Sequence, residues 1–205
     1  MGEEWVEEEL DVKQSIWEIW YDVLFRPVDA IRYITRRKPV AGTFVTFLAG
    51  TMLPLLAMEI YGQEFLGTGL TGVLMALQIF GGALTWFLGT AVFHLIAEFT
   101  GGTGSALGLF SATGFTYLPR LFIVPLLMVL ALLPETVRPV CLGSGTFLIW
   151  AWTLYLDMKS IQENYCLSAR KAVLILLLPL LLAVLTAIFA VIIAAVALAL
   201  YIGNQ

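Results

Sequence analysis

The stretch AVLILLLPLLLAVLTAIFAVIIAAVALALYI, residues 172–202, runs from end to end without a charged side chain. A helix needs about 20 residues at 1.5 Å rise to cross a hydrocarbon core of about 30 Å, so this segment is more than one crossing long. Working back from it, four further apolar stretches occur at Val40 to Ile60, Leu70 to Ala97, Leu107 to Leu133 and Val140 to Leu156. The expected fold is therefore all-α, an integral membrane bundle of five transmembrane helices over residues 40–205. The second, third and fifth stretches exceed a crossing, so tilt, a break or an interfacial section is expected, with Pro119, Pro125 and Pro179 marking where breaks would fall.

Composition agrees. The 205 residues are 60% hydrophobic and 13% charged, with mean hydropathy +0.92, against roughly 25% charged in soluble domains. A soluble fold of this size cannot keep so much apolar surface from water, which excludes a soluble enzyme and a nucleic-acid binder. The lipid bilayer is the first partner. No charged n-region with a cleavable apolar segment opens the chain, so no processed signal peptide is expected. The two cysteines, Cys141 and Cys166, flank an apolar run and would lie on opposite sides of the membrane, unable to pair; too few for a disulfide scaffold, they also make a cysteine zinc site unexpected.

Residues 1–12 form an acidic lead read as a mobile tail, with six acids between Glu3 and Asp11. Residues 13–39 form an amphipathic helical segment. Ile16, Trp17, Ile19, Trp20, Val23 and Leu24 recur near helical spacing, with Gln14, Glu18 and Asp22 on the other face and a restart expected at Pro27. Flanked by Arg26 and by a basic collar of Arg32, Arg36, Arg37 and Lys38, the segment suits the head-group layer; packing against the other helices is an equally good reading. Nine of the eleven positive charges lie before the first span or between the fourth and fifth, one face of a five-span protein. The expectation is a cytoplasmic N-terminus and a C-terminus outside.

The ionisable residues near the membrane are few. His94, the only histidine, stands four residues before Glu98, on one helix face. A transition metal wants three or four ligands, so no metal site and no cofactor is expected. Gly101, Gly102 and Gly104 form a turn in which Gly101 or Gly102 ends the helix in a left-handed cap; no phosphate-loop lysine follows. Arg120 falls inside the third stretch, where a charge costs at least about 2.5–3.5 kcal/mol. Either it pairs inside the bundle or, as preferred, the stretch breaks at Pro119, Ser105 to Tyr117 lies shallowly, and Arg120 starts the true span near the head groups. His94, Glu98, Arg120 and Asp157 are the candidate polar cluster, with Arg120 expected to pair with Glu98 or Asp157. The small residues Gly81, Thr85 and Gly89, and Ala183 with Ala187, suggest helix packing faces.

The order of segments carries a resemblance. LFRPVDAI closes the amphipathic segment, FHLIAEFTGGTGS closes the second span, FTYLPR follows with Tyr117 and Pro119, and WTLYL precedes LSARKA. Over roughly Trp17 to Leu200 the chain resembles the Yip-type membrane domain. The resemblance implies five spans, a cytoplasmic N-terminus, no catalytic activity and association with membrane proteins. Eukaryotic members of that family associate with prenylated Rab GTPases and typically carry a long cytoplasmic N-terminal region. Here about forty residues precede the first span, so a Rab partner is not expected and a prokaryotic cytoplasmic membrane is.

Two functions fit. One is a non-enzymatic adaptor or organiser of membrane proteins or lipids, binding other membrane proteins or itself. The other is a small transporter, channel or lipid-moving subunit. Polar residues at depth are few, chiefly Gln78, Thr85 and Thr186, which favours the adaptor.

Overall fold

The computed structural model describes residues 14–61 and 71–203. The acidic residues 1–12, read as a mobile tail, and residues 62–70 lie outside them. In lipid every backbone N–H and C=O must be satisfied within the protein, and helices do this residue by residue. The described chain is helical accordingly: α1 Ile16–Phe25, α2 Pro27–Arg37, α3 Val40–Tyr61, α4 Thr71–Phe99, α5 Ala106–Phe115, a 3-10 turn Leu118–Phe122, α6 Ile123–Ala131, α7 Arg138–Tyr165 and α8 Ala169–Gly203. Five stretches are long and apolar enough to cross a membrane, the third formed by α5, the 3-10 turn and α6 together. The fourth helix runs past the expected Leu156 to Tyr165.

The third stretch breaks where expected, but the geometry differs. Pro119 sits in the 3-10 turn between α5 and α6, yet α5 does not lie shallowly. Gly108, Leu109 and Ser111 through Phe115 are buried, and α5 packs against α2, α3, α4 and α7 at the centre of the bundle. Its small residues explain this: Gly114 leaves space for Thr43 and Trp86, and Gly108 lies against the Asn164 side chain. Pro125 falls in the first turn of α6, where its missing N–H costs little, and Pro179 lies inside an uninterrupted α8. Neither is a break.

The amphipathic segment is a helical hairpin. Ser15 and Glu18 form a reciprocal capping box that starts α1. Arg26 leaves helical geometry (φ −135°, ψ 57°), and Pro27, with φ pre-set by its ring, starts α2. The hairpin is antiparallel: the backbone N–H of Gln14 donates to the Tyr33 hydroxyl at 2.9 Å. It runs along the bundle rather than across its end. Trp20 Nε1 donates to Thr46 Oγ1 of α3 at 2.8 Å, while Ile31 and Ile34 of α2 bury with Ala112 and Phe115 of α5 and Leu156 of α7. Of the two readings of this segment, packing against the helices describes its inner face. Its outer face carries Trp17, Tyr21 and Phe25, 70%, 59% and 68% exposed and one turn apart, a ring stripe suited to the bilayer interface.

Arg32 Nε and Glu163 Oε2 join α2 to α7 at 2.7 Å, with the Arg32 side chain 54% exposed. The Glu163 hydrogen bond and charge hold the Arg32 pKa above its ordinary value. An exposed pair of this kind contributes about 0–1 kcal/mol. Arg32→Gln and Glu163→Gln should therefore each lower the unfolding midpoint in mild detergent only slightly, and the double variant no more than the larger single loss; a sharp drop for either would assign the hairpin's anchorage to this pair instead of its apolar face.

Candidate functional site

The structure divides the four candidate ionisable residues into two groups at one half of the bundle. The first is at the ends of α4 and α7. His94 Nδ1 hydrogen-bonds the Tyr165 hydroxyl, and His94 Nε2 lies 3.5 Å from Glu98 Oε1. The adjacent turn has the expected left-handed cap at Gly101, φ 86°. The Gly102 N–H closes back on the Ala97 carbonyl at 2.9 Å, and the Gly101 N–H on Glu98 at 2.9 Å. A side chain at Gly102 or Gly104 would run into Tyr165. Asn164 Nδ2 donates to the Ser105 carbonyl at 3.1 Å, and Lys171 Nζ to Thr100 at 3.1 Å. The glycines thus let the turn lie against α7, and Ser105 then caps α5 through the Gly108 N–H at 3.0 Å.

The second group sits at the helix break. The Arg120 guanidinium lies 4.1 Å above the Tyr117 ring. Asp157 interacts with Thr116 and lies within Coulombic reach of Arg120. Among the described residues no carboxylate approaches Arg120 within 4 Å, and its guanidinium donates no hydrogen bond. The expected partner Glu98 is not brought to it, because Glu98 faces His94. Asp157 is its electrostatic neighbour without being a direct ion pair. No group of three or more His, Cys, Asp or Glu able to hold a metal occurs among the described residues.

Between these groups the bundle is closed by side chains that periodicity does not reveal. Trp86 stacks on Phe47 (centroids 4.8 Å apart) and on Phe110 (4.2 Å). Its Nε1 donates to Thr113 Oγ1 at 3.0 Å, which also meets Thr90 Oγ1 at 3.0 Å and donates to the Leu109 carbonyl at 3.0 Å. Thr46 returns its hydroxyl to the Gly42 carbonyl of its own helix, and Thr43 donates to the Pro39 carbonyl just before α3 and to the Ser111 carbonyl of α5. Beside this layer an open apolar groove of about 380 Å³ separates α4 from α5, with Phe87, Ala91, His94, Leu107 and Phe110 in its walls. Among the described residues the anticipated face on α4 packs against nothing: a Cβ at Gly81 or Gly89 would meet nothing within 4 Å.

An all-helical bundle with five membrane-length apolar helices, its ionisable groups gathered toward one half, is an integral multi-pass membrane protein. The Yip1 domain family model matches residues 21–192, and the chain belongs to that family. No curated protein and no solved structure matches the chain significantly.

Proposed function

We propose that the protein is a non-enzymatic membrane adaptor or organiser, acting by association with other membrane proteins, lipids or itself. The observation that carries this reading is the closed interior: the Thr43, Thr46, Thr90 and Thr113 hydroxyls and the Trp86 N–H are taken up by one another and by backbone carbonyls around a stacked aromatic plug, and the Thr51 and Ser111 hydroxyls are buried beside them without a partner. A conducting path needs polar groups that stay available through the membrane depth. The collar of Arg32, Arg36, Arg37 and Lys38 lies on the half that carries the His94 and Arg120 groups, and by the preference of positive charge for the cytoplasm this half is cytoplasmic. The N-terminus is then inside and the C-terminus outside. Partner contact would use the collar-end turn and the open small-residue face of α4.

Transport, channel or lipid-moving activity is the second reading, and it rests on Arg120 and Asp157. Reconstituted alone into liposomes, the protein is expected neither to conduct ions nor to speed lipid exchange above protein-free controls. Crosslinking in native membranes is expected to capture a discrete membrane partner or a second copy. Flux abolished by Arg120→Ala in a folded variant would replace the adaptor reading with the second one.

A further inference from the structure

The membrane boundary cannot be level around this bundle. Along α2 the side chains of Arg26, Asp29, Arg32 and Arg36 are exposed over its whole length, and on the neighbouring α7 Lys159 and Glu163 accompany them, Glu163 bonded to Arg32. Exposed charges at the hairpin tip are costly in hydrocarbon, so polar surroundings must reach down this flank to the level of Arg26 and Asp29. On α7 that level is marked by Asp157, about 12 Å before Tyr165 at 1.5 Å per residue. From Arg138 to Leu156 the helix then rises about 27 Å, which matches a hydrocarbon core of about 30 Å. On the opposite flank the exposed charges are confined to the helix ends, Glu98 on α4 and Arg170 and Lys171 on α8, and the surface next to them is apolar, with Phe99 90% exposed and Leu95, Leu107 and Leu174 also exposed. Head groups therefore dip into a notch on the α2 and α7 flank.

Arg120 and Asp157 sit at the floor of this notch, both partly exposed. Leu118 and Leu156, with Leu121 and Tyr155 against them, pack in one cluster, which brings the chain segments carrying the two charged residues together, and Asp157 lies within Coulombic reach of Arg120. Neither has an ion-pair partner within 4 Å among the described residues. The guanidinium offers five N–H donors and makes no hydrogen bond, while the carboxylate keeps acceptor capacity beyond its contact with Thr116. A purely anionic group would be attracted by Arg120 and repelled by Asp157. A zwitterion with a phosphate and an N–H-bearing ammonium satisfies both. We propose that the notch floor binds the head group of a phosphatidylethanolamine-type lipid, its phosphate on Arg120 and its primary ammonium on Asp157. A quaternary ammonium has no N–H to donate and fits less well.

This site is separable from the adaptor reading, since a lipid bound here requires no protein partner. The test is native mass spectrometry of the purified full chain with phosphatidylethanolamine, phosphatidylcholine or phosphatidylglycerol of identical acyl chains added in turn. Wild-type protein should retain one phosphatidylethanolamine about tenfold more tightly than either of the others. Arg120→Gln and Asp157→Asn should each remove that preference, while Arg36→Gln on the collar should leave it. Soluble phosphoethanolamine, lacking acyl chains, should not displace the lipid; displacement would reassign the site to a soluble zwitterion and overturn the lipid assignment. Equal retention of the three lipids by wild-type protein would overturn the proposal without any variant. Preferential retention of phosphatidylglycerol would overturn the role of Asp157.

Discussion

Gly50→Ala is expected to cost about 2–3 kcal/mol of stability in mild detergent, although it adds one carbon and replaces the poorer helix former by the best one. A Cβ at position 50 would collide with the Tyr117 carbonyl oxygen and come within 3.0 Å of the Tyr117 carbonyl carbon. These are backbone atoms of the helix break, and no side-chain rotation relieves the overlap. Pro54, one turn on, already denies the Gly50 carbonyl its helical N–H donor. The gain from alanine's helix propensity, about 1 kcal/mol, is smaller than the overlap cost and does not reverse the sign. Gly81→Ala and Gly89→Ala form the control, since each added carbon enters open space. Both should be neutral or slightly stabilising. Thermal unfolding of the three variants decides the matter: equal midpoints would mean that α3 and the 3-10 turn do not approach as closely as described.

Trp86→Ala is expected to lower stability by about 2–4 kcal/mol. The indole is buried and stacked between Phe47 and Phe110, with Phe44 edge-on at 5.6 Å and Tyr117 at 6.2 Å. Its removal would leave a cavity where α3, α4 and α5 meet, and in lipid such packing, more than water exclusion, holds helices together. The hydrogen bond to Thr113 is a smaller share. Trp86→Phe keeps a ring in the stack and drops that bond, for a loss of about 1 kcal/mol. The ordering Trp86→Ala well below Trp86→Phe, and Trp86→Phe just below the parent, is the expected result. Comparable losses for both would assign the stability to the Trp86, Thr113 and Thr90 network instead of the stack.

The five spans were legible because each apolar run is long enough to cross a bilayer, a property of single segments. The hairpin break was legible for a similar local reason, as proline at 27 both stops one helix and starts the next. A glycine cap after Phe99 and Thr100 was legible as Gly101 or Gly102, and the structure puts it at Gly101. What depends on contacts between segments was not legible. Gly108, Ser111 and Gly114 make α5 weakly apolar, and that weakness suggested a shallow position; the same residues are small because α5 is crowded by α2, α3, α4 and α7. Residues of this kind let helices approach, and hydropathy counts them only as less apolar. Of the two partners expected for Arg120, Glu98 or Asp157, spacing along the chain cannot choose, because it does not tell that His94 holds Glu98 on its own helix. Tyr165 and Asn164, which seat the glycine turn, carried no signal beyond lying past the expected end of the fourth span.

The proposed orientation, with the collar, the glycine turn and Arg120 on the cytoplasmic side, makes a direct claim about the two cysteines. Cys141 lies near the start of α7 and Cys166 just beyond its far end, so the helix separates them across the bilayer. In sealed, right-side-out cells an impermeant maleimide is expected to leave Cys166 unmodified and to reach it only after permeabilisation, while Cys141 is modified from outside. Modification of Cys166 in sealed cells would contradict the orientation and would place the collar, the turn and the notch on the opposite side of the membrane.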